Sequence, residues 1–175
     1  MSSPEVGKKI IVTVPSTTAN LGPGFDCLGA ALDLYNEFIF TRIDGGGDRF
    51  DLIMESTDGN HLRGGPENLV FRAAQKVWES ANIKPFALEA RVKLAVPPAR
   101  GLGSSATAIV AGLIGANAIM NSPLPKEKLL ELAIDIEGHP DNVVPSLLGG
   151  LCLTCLLYTS PSPRDVEESR MPSSA

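Results

Sequence analysis

The sequence predicts an α+β layered domain. Three observations carry that expectation. Segment 86–96 alternates as a half-buried strand, segments 68–81 and 126–137 have helical spacing, and strands and helices are interspersed with no internal repeat. With 175 residues, the chain is long enough for one domain with a substantial core.

Lys8 to Val14 (K-K-I-I-V-T-V) reads as a β-branched strand that stops at Pro15. Ser16 to Gly24 is turn-rich, and Phe25 to Leu34 is mixed, with Gly29 and other small residues. Glu37 to Ile43 alternates as a strand. Gly45-Gly46-Gly47 reads as a hairpin or open loop leading to a partner strand over Arg49 to Glu55. Leu69, Val70, Ala73, Ala74, Val77 and Trp78 form the apolar face of a helix over 68–81. Phe86, Leu88, Ala90, Val92, Leu94 and Val96 share one strand face, which ends at Pro97-Pro98. Ala106 to Met120 is apolar but contains Gly112, Gly115 and Asn117. It is short for a membrane span and reads as a buried core helix. Lys126 to Glu137 is an amphipathic helix entered after Pro125 and closed by Gly138.

Composition narrows the function. Hydrophobic residues make up 43% and charged residues 20%, as in ordinary globular proteins. The net charge of -5 argues against general affinity for nucleic acid or anionic membranes. Met1 to Lys9 lacks the apolar run of a signal peptide. The three cysteines, Cys27, Cys152 and Cys155, cannot all pair within the chain, so a secreted disulfide framework is not expected. These features point to the cytoplasm.

The last residues differ in character. Cys155 to Asp165 reads as the direct translation of a transposase-type DNA library adapter, and Ser169 to Ala175 as its continuation. Val166 to Glu168 have the length of a short sample index between the two. The competing reading is a natural Ser/Pro-rich disordered tail. On either reading the domain occupies 1–154, and 155–175 is set apart from it. The C-x-x-C spacing of Cys152 and Cys155 then carries no redox or metal site.

The strongest chemical signal is Pro97-Pro98-Ala99-Arg100-Gly101-Leu102-Gly103-Ser104-Ser105-Ala106-Thr107, between a strand and an apolar helix. Gly101 and Gly103 permit backbone conformations that a Cβ obstructs. Ser104 can cap the helix, and the free N–H groups of its first turn suit a polyphosphate. Two other readings compete. One is a strand–turn–helix connection with no ligand. The other is a dinucleotide site, since Gly101, Gly103 and Ala106 satisfy G-x-G-x-x-A. A Walker A motif is excluded because no G-K-[ST] occurs.

Two further clusters stand out. Asn20 and Asp26 flank the Gly22-Pro23-Gly24 turn and suit an amino-acid ammonium group, or they simply stabilise the turn. Glu137, near a helix C-terminus, opposes the helix dipole, which invites a cation-binding role; the alternative is a solvated carboxylate. His139-Pro140 reads as a turn, with His139 an ordinary surface histidine unless a site claims it.

P-P-x-R-G-L-G-S-S-A resembles the ATP-binding motif of the GHMP kinases, a family that phosphorylates small alcohols. The resemblance implies that Pro97, Pro98, Ala99, Arg100, Gly101, Leu102, Gly103, Ser104, Ser105, Ala106 and Thr107 bind ATP, and that Ser104 helps hold Mg2+. The segment from Val14 to Gly29 and the later E-G-H-P-D-N at 137–142 resemble the branch of that family acting on L-homoserine, although Ser16 stands where that branch usually has alanine. On this resemblance Asn20, Asp26 and His139 contact homoserine, Glu137 binds magnesium, and Asp26 and Glu137 are the candidate catalytic residues. No general base is assigned.

The resemblance covers about 8–154. It implies a fold of the ribosomal protein S5 domain 2-like type, followed in complete members by a ferredoxin-like domain that this chain lacks. The fragment alone is therefore expected to be inactive, and the complete protein to be a possible homodimer. The alternatives are a GHMP kinase for another alcohol or a non-catalytic nucleotide-binding module.

Overall fold

The computed structural model describes residues 4–22, 24–46, 49–55, 61–64, 68–95 and 101–154, without the side chains of 20, 24–26, 54–55 and 61–64. Strand β1 (Lys9–Leu21) and strand β2 (Gly24–Gly46) form a long antiparallel hairpin. Pro15 does not end the first strand as the sequence suggested. It pairs with Tyr35, and the register shifts between Pro15 and Thr17. β1 lies at the edge of the sheet, where a missing N–H costs least, and a bulge absorbs the irregularity. The segment read as turn-rich and mixed is thus mostly strand.

The sheet order is β1-β2-β5-β3-β4, with β6 also paired to β2. Strand β3 (Phe50–Glu55) was expected to partner the preceding strand. It pairs instead in parallel with β5 (Phe86–Lys93), which lies between it and β2. Gly45 and Gly46 are the last residues of β2, and Gly46 still pairs with Phe86. Strand β4 (His61–Gly64), not foreseen from the sequence, pairs antiparallel with β3. Phe86, Leu88, Ala90 and Val92 are buried as the alternation required, while Arg91 and Lys93 are exposed.

Helix α1 (Leu69–Ser80) starts where the Asn68 side chain accepts the Val70 N–H at 2.8 Å, and it buries the expected apolar face. Helix α2 (Ser104–Ile119) is apolar all round, and a helix of that kind is stable only when surrounded. It packs on β1 and against α1, α3 (Lys126–Glu137) and α4 (Pro140–Leu148). Gly112 lets α1 come close: a Cβ there would lie 2.5 Å from the Val70 carbonyl oxygen of α1.

At its far end, α2 is closed by the Lys8 ammonium, which donates to the Ile119 carbonyl and to Asn121 Oδ1, both at 2.8 Å. Gly138 closes α3 in the left-handed region, at φ 85°, as read from the sequence. Helix α4 was missed, because His139-Pro140 was read as a turn. Pro140 is its first residue, where proline's missing N–H costs nothing. Strand β6 (Leu151–Leu153) then returns to pair with Leu28–Ala30 of β2. Among the described residues, no helix is long and apolar enough to cross a membrane.

Candidate functional site

The three sequence motifs converge at the N-terminus of α2. Gly101 and Gly103 have φ values of 69° and 62°, in the left-handed region that favours glycine. Gly103, rather than Ser104, takes the N-cap position, and no side chain caps the helix. Ser104 is the first helical residue. The reason lies in the packing of Gly103: an added Cβ would collide with the Thr17 hydroxyl and crowd Asn142 Oδ1. The N–H groups of Ser104, Ser105 and Ala106 therefore have neither a capping side chain nor an intrahelical carbonyl, whereas the Thr107 N–H donates to the Gly103 carbonyl at 2.9 Å.

These N–H groups stand at a cavity of about 410 Å³ lined by Ala19, Gly101, Leu102, Gly103, Ser104, Ser105 and Asn142. The buried Thr17 holds its wall together. The Thr17 N–H donates to the Leu102 carbonyl at 3.3 Å, and its hydroxyl donates to Asn142 Oδ1 at 2.9 Å. One β1 residue thus ties the glycine loop to the first turn of α4.

Glu137, the last residue of α3, is partly buried and accepts the Ser105 hydroxyl at 2.6 Å. The structure therefore brings Ser105, not Ser104, to the carboxylate. Among the described residues, no three His, Cys, Asp or Glu side chains gather as a metal cage. One carboxylate beside a serine still suits Mg2+, which takes one or two protein carboxylates together with substrate phosphates.

The remaining candidates are placed less fully. His139 is exposed at the N-cap of α4 and is absent from the cavity lining. The backbones of Asn20 and Asp26 lie at the end of β1 and the start of β2, on either side of the Gly22 turn, while their side chains lie outside the description. Pro97, Pro98, Ala99 and Arg100 also lie outside the described residues. Thr17 and Asn142 had no assigned role in the sequence reading. The signal that marks them is the pairing of a buried hydroxyl with an amide, and only the fold reveals it.

Residues 68–150 match the family description "GHMP kinases N terminal domain". Over these residues the chain is similar to a GHMP kinase N-terminal domain. The chain is 99% identical over 154 residues to a homoserine kinase of Prochlorococcus marinus subsp. pastoris, a match covering 88% of this chain and 49% of that protein. A homoserine kinase from another strain of the same species, SARG, is 79% identical over the same length. The chain spans about half the length of the curated relatives it matches.

Among solved structures, the chain resembles homoserine kinase from Cytophaga hutchinsonii, with a TM-score of 0.74 and 30% identity over 87% of this chain and 50% of that one. Methanococcus jannaschii mevalonate kinase shares the fold at a TM-score of 0.64 and 18% identity, over 83% of this chain and 53% of that one.

Proposed function

We propose that this domain belongs to a homoserine kinase, which transfers the γ-phosphoryl group of ATP to the side-chain hydroxyl of L-homoserine, giving O-phospho-L-homoserine and ADP in threonine biosynthesis. The observation that carries the reading is the cavity at the uncapped N-terminus of α2, in a chain 99% identical to a homoserine kinase. Phosphoryl transfer of this kind depends on positioning and charge stabilisation more than on covalent chemistry by the protein.

The chain's own residues supply both. Backbone N–H groups of Gly101 to Ala106 hold phosphate oxygens, and the helix dipole favours the negative charge. Glu137 would hold Mg2+, whose bound charge neutralises phosphate oxygens. The Ser105 contact makes Ser105 a better candidate than Ser104 for the accompanying hydroxyl. Asn20, Asp26 and His139 orient homoserine on this reading. Asp26 serves as ammonium ligand or as base, and both roles fit an ionised carboxylate.

Catalysis belongs to the whole protein, on this reading a cytoplasmic enzyme able to form a homodimer, and residues 155–175 are read as adapter-derived. Joining residues 1–154 to the remaining half of the Prochlorococcus relative tests the proposal. ADP release by this chimera should require homoserine and should not respond to mevalonate or galactose. Turnover of either alternative alcohol in preference to homoserine would reject the substrate assignment, and ATP binding with no turnover would favour a non-catalytic nucleotide module. Residues 1–154 alone should release no ADP above a Glu137→Ala control.

A further inference from the structure

Asn36 lies in the middle of β2 and is 2% exposed. A buried carboxamide is costly unless its donor and its acceptor are both used. Asn36 uses both, and both reach the glycine loop. Its Oδ1 accepts the N–H of Ala95 at 2.9 Å, two residues past the end of β5. Its Nδ2 donates at 3.2 Å to Oγ1 of the buried Thr107, in the first turn of α2. The Thr107 hydroxyl donates in turn to the Ser104 carbonyl at 3.0 Å.

The direction of this chain of bonds is fixed by chemistry. The Ala95 N–H can only donate, so the amide oxygen faces it and the amide nitrogen is left for Thr107. The Thr107 proton is committed to Ser104, so its oxygen is left to accept. Neither aspartate, with no donor, nor leucine, with neither function, reproduces the arrangement. The strand ladder does not supply the constraint, because β5 pairing ends at Lys93.

We propose that Asn36 is a positioning residue for phosphate binding. One side chain clamps the strand exit and the helix entry on either side of the glycine loop, and so aims the first-turn N–H groups of α2. It touches no ligand and acts through Ala95 and Thr107. The proposal rests on the ATP reading above.

Calorimetric titration of the 175-residue chain with Mg·ATP and, separately, with adenosine tests it, using wild type, Asn36→Ala, Thr107→Val and Thr107→Ser. Asn36→Ala and Thr107→Val should weaken ATP binding by roughly threefold to tenfold, the equivalent of one net hydrogen bond. Adenosine binding should be unchanged in Asn36→Ala, and Thr107→Ser, which keeps the hydroxyl, should lose less ATP affinity than Thr107→Val. Without nucleotide, amide exchange at Thr107, whose N–H donates to the Gly103 carbonyl at 2.9 Å, should quicken in Asn36→Ala.

Equal losses for ATP and adenosine would reduce Asn36 to a structural role, and unchanged ATP affinity would also overturn the inference. Should Asn36→Ala fail to fold, the two Thr107 variants decide between the same outcomes. A wild-type chain that binds no ATP would remove the ATP reading, and the inference with it. That failure is distinguishable because it appears in wild type rather than in the variants.

Discussion

Glu137 sits where a helix would rather have a cation. As the last residue of α3, its charge opposes the dipole, and only the Ser105 hydroxyl compensates it within the described structure. Function and stability should therefore separate on substitution. Glu137→Gln keeps an acceptor for Ser105 but removes the charge. Thermal unfolding should show a gain of about 0.3–1 kcal/mol, while the completed chimera should lose its Mg2+-dependent ADP release. Ser105→Ala removes the hydroxyl that orients the carboxylate, and a magnesium titration of the chimera should show a weakening of roughly tenfold to a hundredfold. Ser104→Ala should have a smaller effect.

At this scale the glycine loop was legible because glycine and serine advertise their geometry locally. Which serine faces Glu137 was not legible, because the two are adjacent in sequence and only the helical turn separates their directions. Thr17–Asn142 and Asn36–Thr107 are separated by 125 and 71 positions, beyond the reach of any local pattern.

Elements show the same division between local and long-range information. The helices α1, α2 and α3 were readable from apolar spacing or from unbroken apolarity, and β5 from its alternation. Proline misled twice. Pro15 was read as a stop, though an edge strand with a bulge tolerates it, and Pro140 was read as a turn, though the first position of a helix favours it. The partner of β3 was missed because strand pairing follows topology, and β5 comes 36 residues after β3 begins (Phe50 to Phe86).

Gly112 gives a prediction at this scale. In an exposed helix, Gly→Ala is favourable by about 1 kcal/mol. Here the new methyl would meet the α1 backbone at Val70, which cannot move without shifting the helix. Overpacking of about 1–3 kcal/mol should reverse the sign. Gly112→Ala should lower the urea midpoint; a raised midpoint would show that the α1–α2 contact has slack.

At the scale of the molecule, the α2 helix is both the centre of the core and the floor of the site. Ile109, Val110, Leu113 and Ala116 are fully buried in the same cluster as Phe38, Phe40, Leu88 and Trp78 of the sheet and α1. Ser104 and Ser105, one turn earlier, line the cavity. The α+β class was legible because the order of elements dictates layers. The convergence of the first, second and third motifs was not, because it depends on β1, α2 and the start of α4 packing together. That packing joins the cavity wall to the core, and on the proposed reading it lets this domain bind phosphate by itself.

Amide chemical shifts of the isotope-labelled 175-residue chain, recorded as Mg·ATP is added, test that claim most directly. The account predicts saturable shifts concentrated at 101–107 and Asn142, with smaller ones at Thr17 and Glu137. Shifts confined to a second cavity, lined in part by Ile114, Leu124, Leu129 and Leu147, or no saturable shift at all, would contradict it.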